Sequence, residues 1–260
     1  MKRYIVFLKQ VPLSTKVEID PVTKTLKRSS ALTRTNPDDL HALQTAVNLK
    51  KKTGAEIVAV SMGPEMAVEV LREALQYGAD KAVLLSSRAF AGSDTLCTSK
   101  SLAAAARKIG DYDLLFFGKM AVDGDTAQVG PEVAGQLDIP QITQLTAITA
   151  ISDTSVSVTR NAGCKLQHLE VKMPCAIMVS RENCELENVT LRAWQMARQQ
   201  PITRWNEHDL GLSSDEIGLC ASPTQVVATE VPQHDKVVEW IKDGHAVMDI
   251  IENNVLCQTK

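Results

Sequence analysis

Short apolar runs and amphipathic stretches alternate along the first half of the chain. "YIVFL" (4–8), "AEIVAVSM" (55–62), "KAVLLS" (81–86) and "DLLFFG" (113–118) are rich in strand formers and bounded by polar or glycine-containing segments. Between them lie helical periods. Residues 38–53 place Leu40, Leu43 and Val47 on one stripe, residues 64–77 do the same with Ala67, Leu71, Ala74 and Leu75, and residues 95–108 turn Leu102 and Ala105 to one side. Strands without clear alternation, separated by helices, predict a mostly parallel, doubly wound (Rossmann-like) α/β sheet with right-handed crossovers.

The helix starts are marked as well. "NPDD" (36–39) offers Asn36 as cap, Pro37 at the first helical position and two acids in the first turn. "MGPE" (62–65) repeats the proline-then-acid start, and "GSDT" (92–95) supplies Ser93 or Asp94 as cap. The basic run "NLKKKTG" (48–54) reads as a solvated helix end, cations at the negative pole of the dipole.

After about residue 140 the pattern shortens. "QLTAITAI", "SVSVTR", "LQHLEVKM" and "CAIMVS" predict successive strands that extend or cap the sheet. From 187 "ENVTLRAWQMARQQ" is helical and carries Trp194, Met196 and Arg198, residue types common at interfaces. A polar stretch, 206–224, leads to a last amphipathic pattern over 235–255, with Val238, Ile241, Val247, Ile250 and Ile251 on one side. The expected organisation is an α/β nucleotide-binding domain over 1–185, then a partner-recognition segment and an extended C-terminal docking arm over 186–260.

Composition narrows the function classes. The 260 residues are 44% hydrophobic and 23% charged, an ordinary globular balance. A net charge of −3 and 4% aromatic residues argue against a nucleic-acid partner. Six cysteines form no C-x-x-C pair and five histidines fall in no ligand spacing, so reduced thiols are expected and a metal or iron–sulfur site is not. Cys97 and Cys184 have no activating base nearby in sequence, and His41 is expected at the surface. "MKRYIVFLKQ" reads as a first strand rather than a leader, and no run reaches the roughly 18 to 20 apolar residues of a membrane span, so a cytoplasmic protein is expected.

One loop carries the candidate chemistry. "GKMAVDGDTAQVGP" (118–131) follows a strand and precedes a helix in which Val133, Ala134 and Leu137 share a face. Pro131 must lie near the start of that helix, which leaves the amides of roughly 126–130 unpaired at the positive end of the dipole, an arrangement that favours an anion. Thr126 and Gln128 add neutral donors; Asp123 and Asp125 suit ribose hydroxyls or backbone capping. Read from spacing alone, Asp-Gly-Asp is equally a simple turn, and there is no G-x-G-x-x-G.

Whole motifs say more. "LKQVP" (8–12), "NPDD" (36–39), "SMGP" (61–64), "REALQYGAD" (72–80), "AFAGSDTLCTS" (89–99) and "DGDTAQVGP" (123–131) together make the chain resemble the β subunit of electron transfer flavoproteins, the last two its electron-bifurcating branch. The resemblance implies a nucleotide site at Phe7, Leu8 and Lys9, at Asn36, Pro37, Asp38 and Asp39, at Met62 and Gly63, and along Gly118, Lys119, Met120, Ala121, Val122, Asp123, Gly124, Asp125, Thr126, Ala127, Gln128 and Val129. It implies FAD there in bifurcating members and AMP in simpler ones. It also implies an α subunit in a heterodimer, NAD(H) as electron donor or acceptor, ferredoxin, and a flavin-dependent dehydrogenase. A catalytic acid–base set is not expected, because the flavin carries the electrons.

Three positions depart from the family's pattern. Leu13 stands where relatives often have aspartate, and Met120 stands where glutamine is common. Over 182–192 the chain reads "ENCELENVTLR" instead of a "NEPRYxSL" type, which points to a different dehydrogenase, of acyl-CoA or 2-hydroxy-acid (lactate) type. An adenylating enzyme of similar fold is disfavoured, since "KQVPLST" lacks the glycines of its phosphate loop.

Overall fold

The computed structural model describes residues 1–13, 32–227, 240–241 and 243–254. These fall into two compact units, Met1–Val227 and Ala228–Lys260.

The first unit starts with β1 (Arg3–Phe7), a two-stranded ribbon of β2 (Gln10–Pro12) and β3 (Thr33–Thr35), then α1 (Pro37–Thr53), β4 (Glu56–Met62), α2 (Val68–Tyr77) and β5 (Lys81–Leu85). It continues through α3 (Thr95–Ile109), β6 (Leu114–Gly118), α4 (Val129–Leu137) and the strands β7 (Gln141–Ile151), β8 (Ser155–Asn161), β9 (Leu166–Lys172) and β10 (Cys175–Val179). It closes with α5 (Leu191–Gln199), β11 (Thr203–Trp205) and α6 (Gly218–Ala221).

Nine strands form one sheet in the order β11-β5-β4-β1-β6-β10-β7-β8-β9, parallel except at β7–β8 and β8–β9. The mostly parallel α/β fold expected from the periodicity is therefore present. The late strands differ in one respect. Three of them extend the sheet, but β10 runs in its interior between β6 and β7. Its five residues are all buried, as a strand covered on both faces requires. The ribbon, β11 and α6 were not legible as elements.

Alternate strand residues feed two cores. Tyr4, Val6, Ile57 and Ala59 pack with α1 and α2, while Ile5, Phe7, Val58 and Val60 pack with α3 and α4. Each such fully buried aliphatic side chain contributes on the order of 1.5–3 kcal/mol. Phe7 and Phe117 stack with ring centroids 4.5 Å apart at the ends of β1 and β6, a firm floor beneath the sheet's carboxyl rim.

Segment 186–227 is built into this unit. α5 lies on α2, and Arg72 Nη1 donates to the carbonyls of Ala197 and Gln200 at the end of α5. On α5, Trp194 and Met196 remain 41% and 53% exposed, and the Arg198 guanidinium sits 4.9 Å from the Trp194 ring. In the second unit α7 (Gly244–Asn254) carries exposed Val247, Met248, Ile250 and Ile251. Of the expected amphipathic arm, Val238 lies outside the described residues. No described helix is long and apolar enough to cross a membrane.

Candidate functional site

In the strand order, the chain moves outward to one side of β1 through β4 and β5 and to the other side through β6. The crevice between the ends of β1 and β6 is therefore the topological switch point, where open α/β sheets take ligands. The residues singled out from the sequence converge there.

Three ties cross this crevice. Asp39, in the first turn of α1, accepts from Lys9 N through Oδ2 (2.7 Å) and from Gly118 N through Oδ1 (3.1 Å). Asn36 donates from Nδ2 to Met120 O (2.9 Å) and accepts from Val122 N through Oδ1 (3.2 Å), while its own amide donates to Lys9 O. Lys9 Nζ donates to Asp123 Oδ1 at 2.7 Å. Asn36 holds the cap position of α1 as expected, but its side chain makes no capping bond and bridges instead to the loop after β6. Pro37 does begin the helix, as expected.

Asp38 and Asp39, expected as dipole partners, are buried and committed to backbone. Asp38 Oδ1 accepts from Arg181 N (3.2 Å) and lies 3.6 Å from Arg181 Nε. Burial pushes the Asp39 carboxyl up to about 7; the charge of Asp38 adds to this, and the Asn36 side chain and the amides of Lys9 and Gly118 oppose it. Glycine is required at 118, since a Cβ there would lie 2.1 Å from Asp39 Oδ1 and 2.8 Å from the α1 backbone.

The loop from Gly118 to α4 begins with Lys119 N donating to Val179 O, then turns with Gly124 N and Asp125 N both donating to Ala121 O. Asp125 and Ala127 adopt positive φ, 49° and 53°, an uncommon state for residues with a Cβ. The amides of Thr126, Ala127, Gln128, Val129 and Gly130 have no hydrogen-bond partner among the described residues. Thr126, Ala127 and Gln128 are exposed, so their amides open to solvent at the N-terminus of α4. Gly130 is buried, and a Cβ there would press on Met178 Cγ at 3.0 Å, which lets α4 start close against β10. Free amides at the positive end of a helix favour an anion, and Asp123 beside them is paired with Lys9.

The remaining expected residues sit at the same rim. Phe7 and Leu8 are buried beneath it, Pro37 begins α1, Met62 ends β4 and Gly63 follows it, with Gly63 N donating to Leu85 O. Two residues were missed. Thr95, on the first turn of α3 behind the Asp94 cap, donates to Gln128 Oε1 (3.3 Å) and Glu132 Oε1 (3.1 Å), bringing two helix N-termini together. Arg181 emerges from β10 beside Asp38. Both depend on neighbours distant in sequence. His41, expected at the surface, is half-buried and its Nδ1 lies 2.7 Å from Cys184 O. No metal-holding group of His, Cys, Asp and Glu occurs among the described residues.

Fold and site together define a doubly wound α/β protein with an anion-favouring loop at its switch point. The electron transfer flavoprotein domain model matches residues 23–210. The chain is 39% identical over 251 residues to the electron transfer flavoprotein subunit beta of Thermoanaerobacterium thermosaccharolyticum, covering 95% of this chain and 96% of that one. It is 42% identical to the caffeyl-CoA reductase-Etf complex subunit CarD of Acetobacterium woodii (88% of each chain) and 38% identical to protein FixA of Sinorhizobium fredii (95% and 90%). The chain belongs to the electron transfer flavoprotein family, on its β-subunit side.

Proposed function

We propose that this chain is the β subunit of an αβ electron transfer flavoprotein and holds FAD at the crevice between β1 and β6. In this reading it takes part in NAD(H)-linked electron bifurcation or confurcation with ferredoxin and a flavin-dependent dehydrogenase of acyl-CoA or 2-hydroxy-acid type. The observation that carries it is the row of amides from Thr126 to Gly130 at the start of α4, which have no hydrogen-bond partner among the described residues. The exposed amides of Thr126, Ala127 and Gln128, the Thr126 hydroxyl and the ammonium of Lys9 in reach of the same loop form a donor set suited to a pyrophosphate. The name of the CarD relative, a subunit of a caffeyl-CoA reductase-Etf complex, supports a reductase or dehydrogenase partner acting on an acyl-CoA.

When bound, the flavin supplies the one- and two-electron chemistry. The chain's residues bind and orient. Lys9 faces either Asp123 or a phosphate oxygen, and Asp123, once released, accepts from ribose hydroxyls. Asn36 and Asp39 do not reach outward; their bonds to the main chain at 9, 118, 120 and 122 hold the two walls at a set spacing. Met120 contributes its carbonyl to that frame, so a methionine side chain is tolerated there.

A second reading, a structural AMP in place of FAD, draws on the same ties, which make the crevice stiff rather than adaptable. Chromatography of the nucleotides released from the denatured αβ complex separates the two. About two FAD per heterodimer supports the flavin reading, and about one FAD with one AMP supports the other. Absence of both from this subunit would refute the site.

A further inference from the structure

Between β10 and α5 the chain runs as an irregular strap along α1. Arg181 N and Nε face Asp38 in the first turn of that helix. The carbonyl of Cys184 lies 2.7 Å from His41 Nδ1, and Glu187 N donates to Gln44 Oε1 at 3.0 Å, with Lys51 pairing to the Glu187 carboxylate further along. The strap therefore follows the helix from its first turn to its last. It is mostly exposed, and α1 holds it at Arg181, Asn183, Cys184 and Glu187, the middle contacts through Thr45 and the carbonyl of His41.

The helix it lies on also frames the crevice. Asp38 and Asp39 are adjacent, both buried, and face opposite duties: Asp38 holds the strap, Asp39 holds the tips of β1 and β6 through Lys9 N and Gly118 N. Arg181 is the only cation in a salt bridge with Asp38 among the described residues. If Arg181 leaves, the buried Asp38 carboxylate loses its counter-charge, and the first turn of α1 must shift to give it another partner or water. Asp39, the next residue on that turn, is then drawn off the Lys9 and Gly118 amides, and the clasp loosens.

We propose that Arg181 is a positioning residue for the crevice: by holding Asp38 it keeps Asp39 clasped on the Lys9 and Gly118 amides, so that docking of strap 181–187 and closure of the crevice are coupled. The site's identity as a nucleotide crevice rests on the function proposed above; the coupling itself needs no ligand. A partner that lifts the strap thereby loosens the cofactor's frame, and a partner that presses it down tightens it.

The test is amide hydrogen exchange on the full chain in its purified complex. Arg181→Gln is expected to raise exchange at Lys9 and Gly118 roughly tenfold by easing local opening, while Arg181→Lys stays near wild type. The double variant Asp38→Asn/Arg181→Gln is expected to restore protection, because the uncompensated charge is gone. Faster exchange of the strap in Arg181→Gln with no change at Lys9 and Gly118 would overturn the coupling. Should that single variant unfold, which exchange at Val58 and Val60 in the β4 core would reveal, the double variant decides: a protected clasp supports the proposal and an unprotected one overturns it. Nucleotide analysis of the same preparations reports separately on the crevice's ligand.

Discussion

Lys9 and Asp123 meet at 2.7 Å across the mouth of the crevice, one from the end of β1 and one from the loop that leads to α4. Both side chains are partly exposed, 49% and 30%, so their attraction is screened and the pair contributes about 1 kcal/mol or less to stability. The pair is positioned to be exchanged for a ligand rather than to hold the fold.

Lys9→Gln is accordingly expected to leave the thermal midpoint within a few degrees of wild type. The same variant is expected to retain less nucleotide through purification, read by chromatography of the denatured complex. An equal nucleotide content in variant and wild type would remove Lys9 from the site.

Glycines in the loop differ in what they tolerate. Gly118→Ala drives a Cβ to 2.1 Å from a buried carboxylate oxygen and 2.8 Å from helix backbone, atoms that have no room to retreat. A loss of roughly 3 kcal/mol is expected. Gly124→Ala meets nothing within 4 Å and sits at no positive φ, so its urea midpoint should match wild type. Equal midpoints for the two variants would contradict the close packing of α1 on β6.

Asp39 should make stability depend on pH in a definite direction. Burial holds its folded-state pKa, about 7, above the unfolded value of 3.8, so the folded chain binds this proton more tightly. The group's contribution is fully present below the unfolded value and is lost as pH rises through about 7. Asp39→Asn is expected to flatten this fall in urea titrations across that window. It should also cost about 1–3 kcal/mol, since an amide nitrogen would face one of the two backbone donors. An unchanged pH slope would show that Asp39 does not titrate there.

Thiol reactivity should follow burial. Cys164 and Cys220 are exposed and are expected to label with maleimide within minutes under native conditions. Cys97 and Cys175 are buried, and burial pushes the Cys175 thiol up to about 12, so both should label only on unfolding. Mass spectrometry of tryptic peptides gives the order; early labelling of Cys175 would mean that β10 is not interior.

Much of the fold was written locally. The apolar periods of β1, β4, β5, β6, α1, α2 and α3 mark the elements, because a helix or strand one-sidedly buried must repeat at 3.6 or 2 residues, and a doubly covered strand must be apolar throughout. Asp94 caps α3 through Cys97 N, a bond three residues long and therefore visible as a motif. The placing of Pro131 near the start of α4 foretold the free amides for the same reason.

The frame of the site was decided elsewhere. Asp39 reaches residues 30 and 79 positions away, and Asn36 reaches 84, so local cues placed both at the helix start but could not show what their side chains bond. The interior place of β10 set Arg181 beside Asp38, 143 positions distant in sequence. Periodicity reports which face of an element is buried, never which element lies beside it. By itself the sequence determined the longer strands and helices and the anion-favouring loop; only packing decided the ribbon, β11 and α6 and which carboxylate holds which wall, because those bonds join groups brought together by the sheet order.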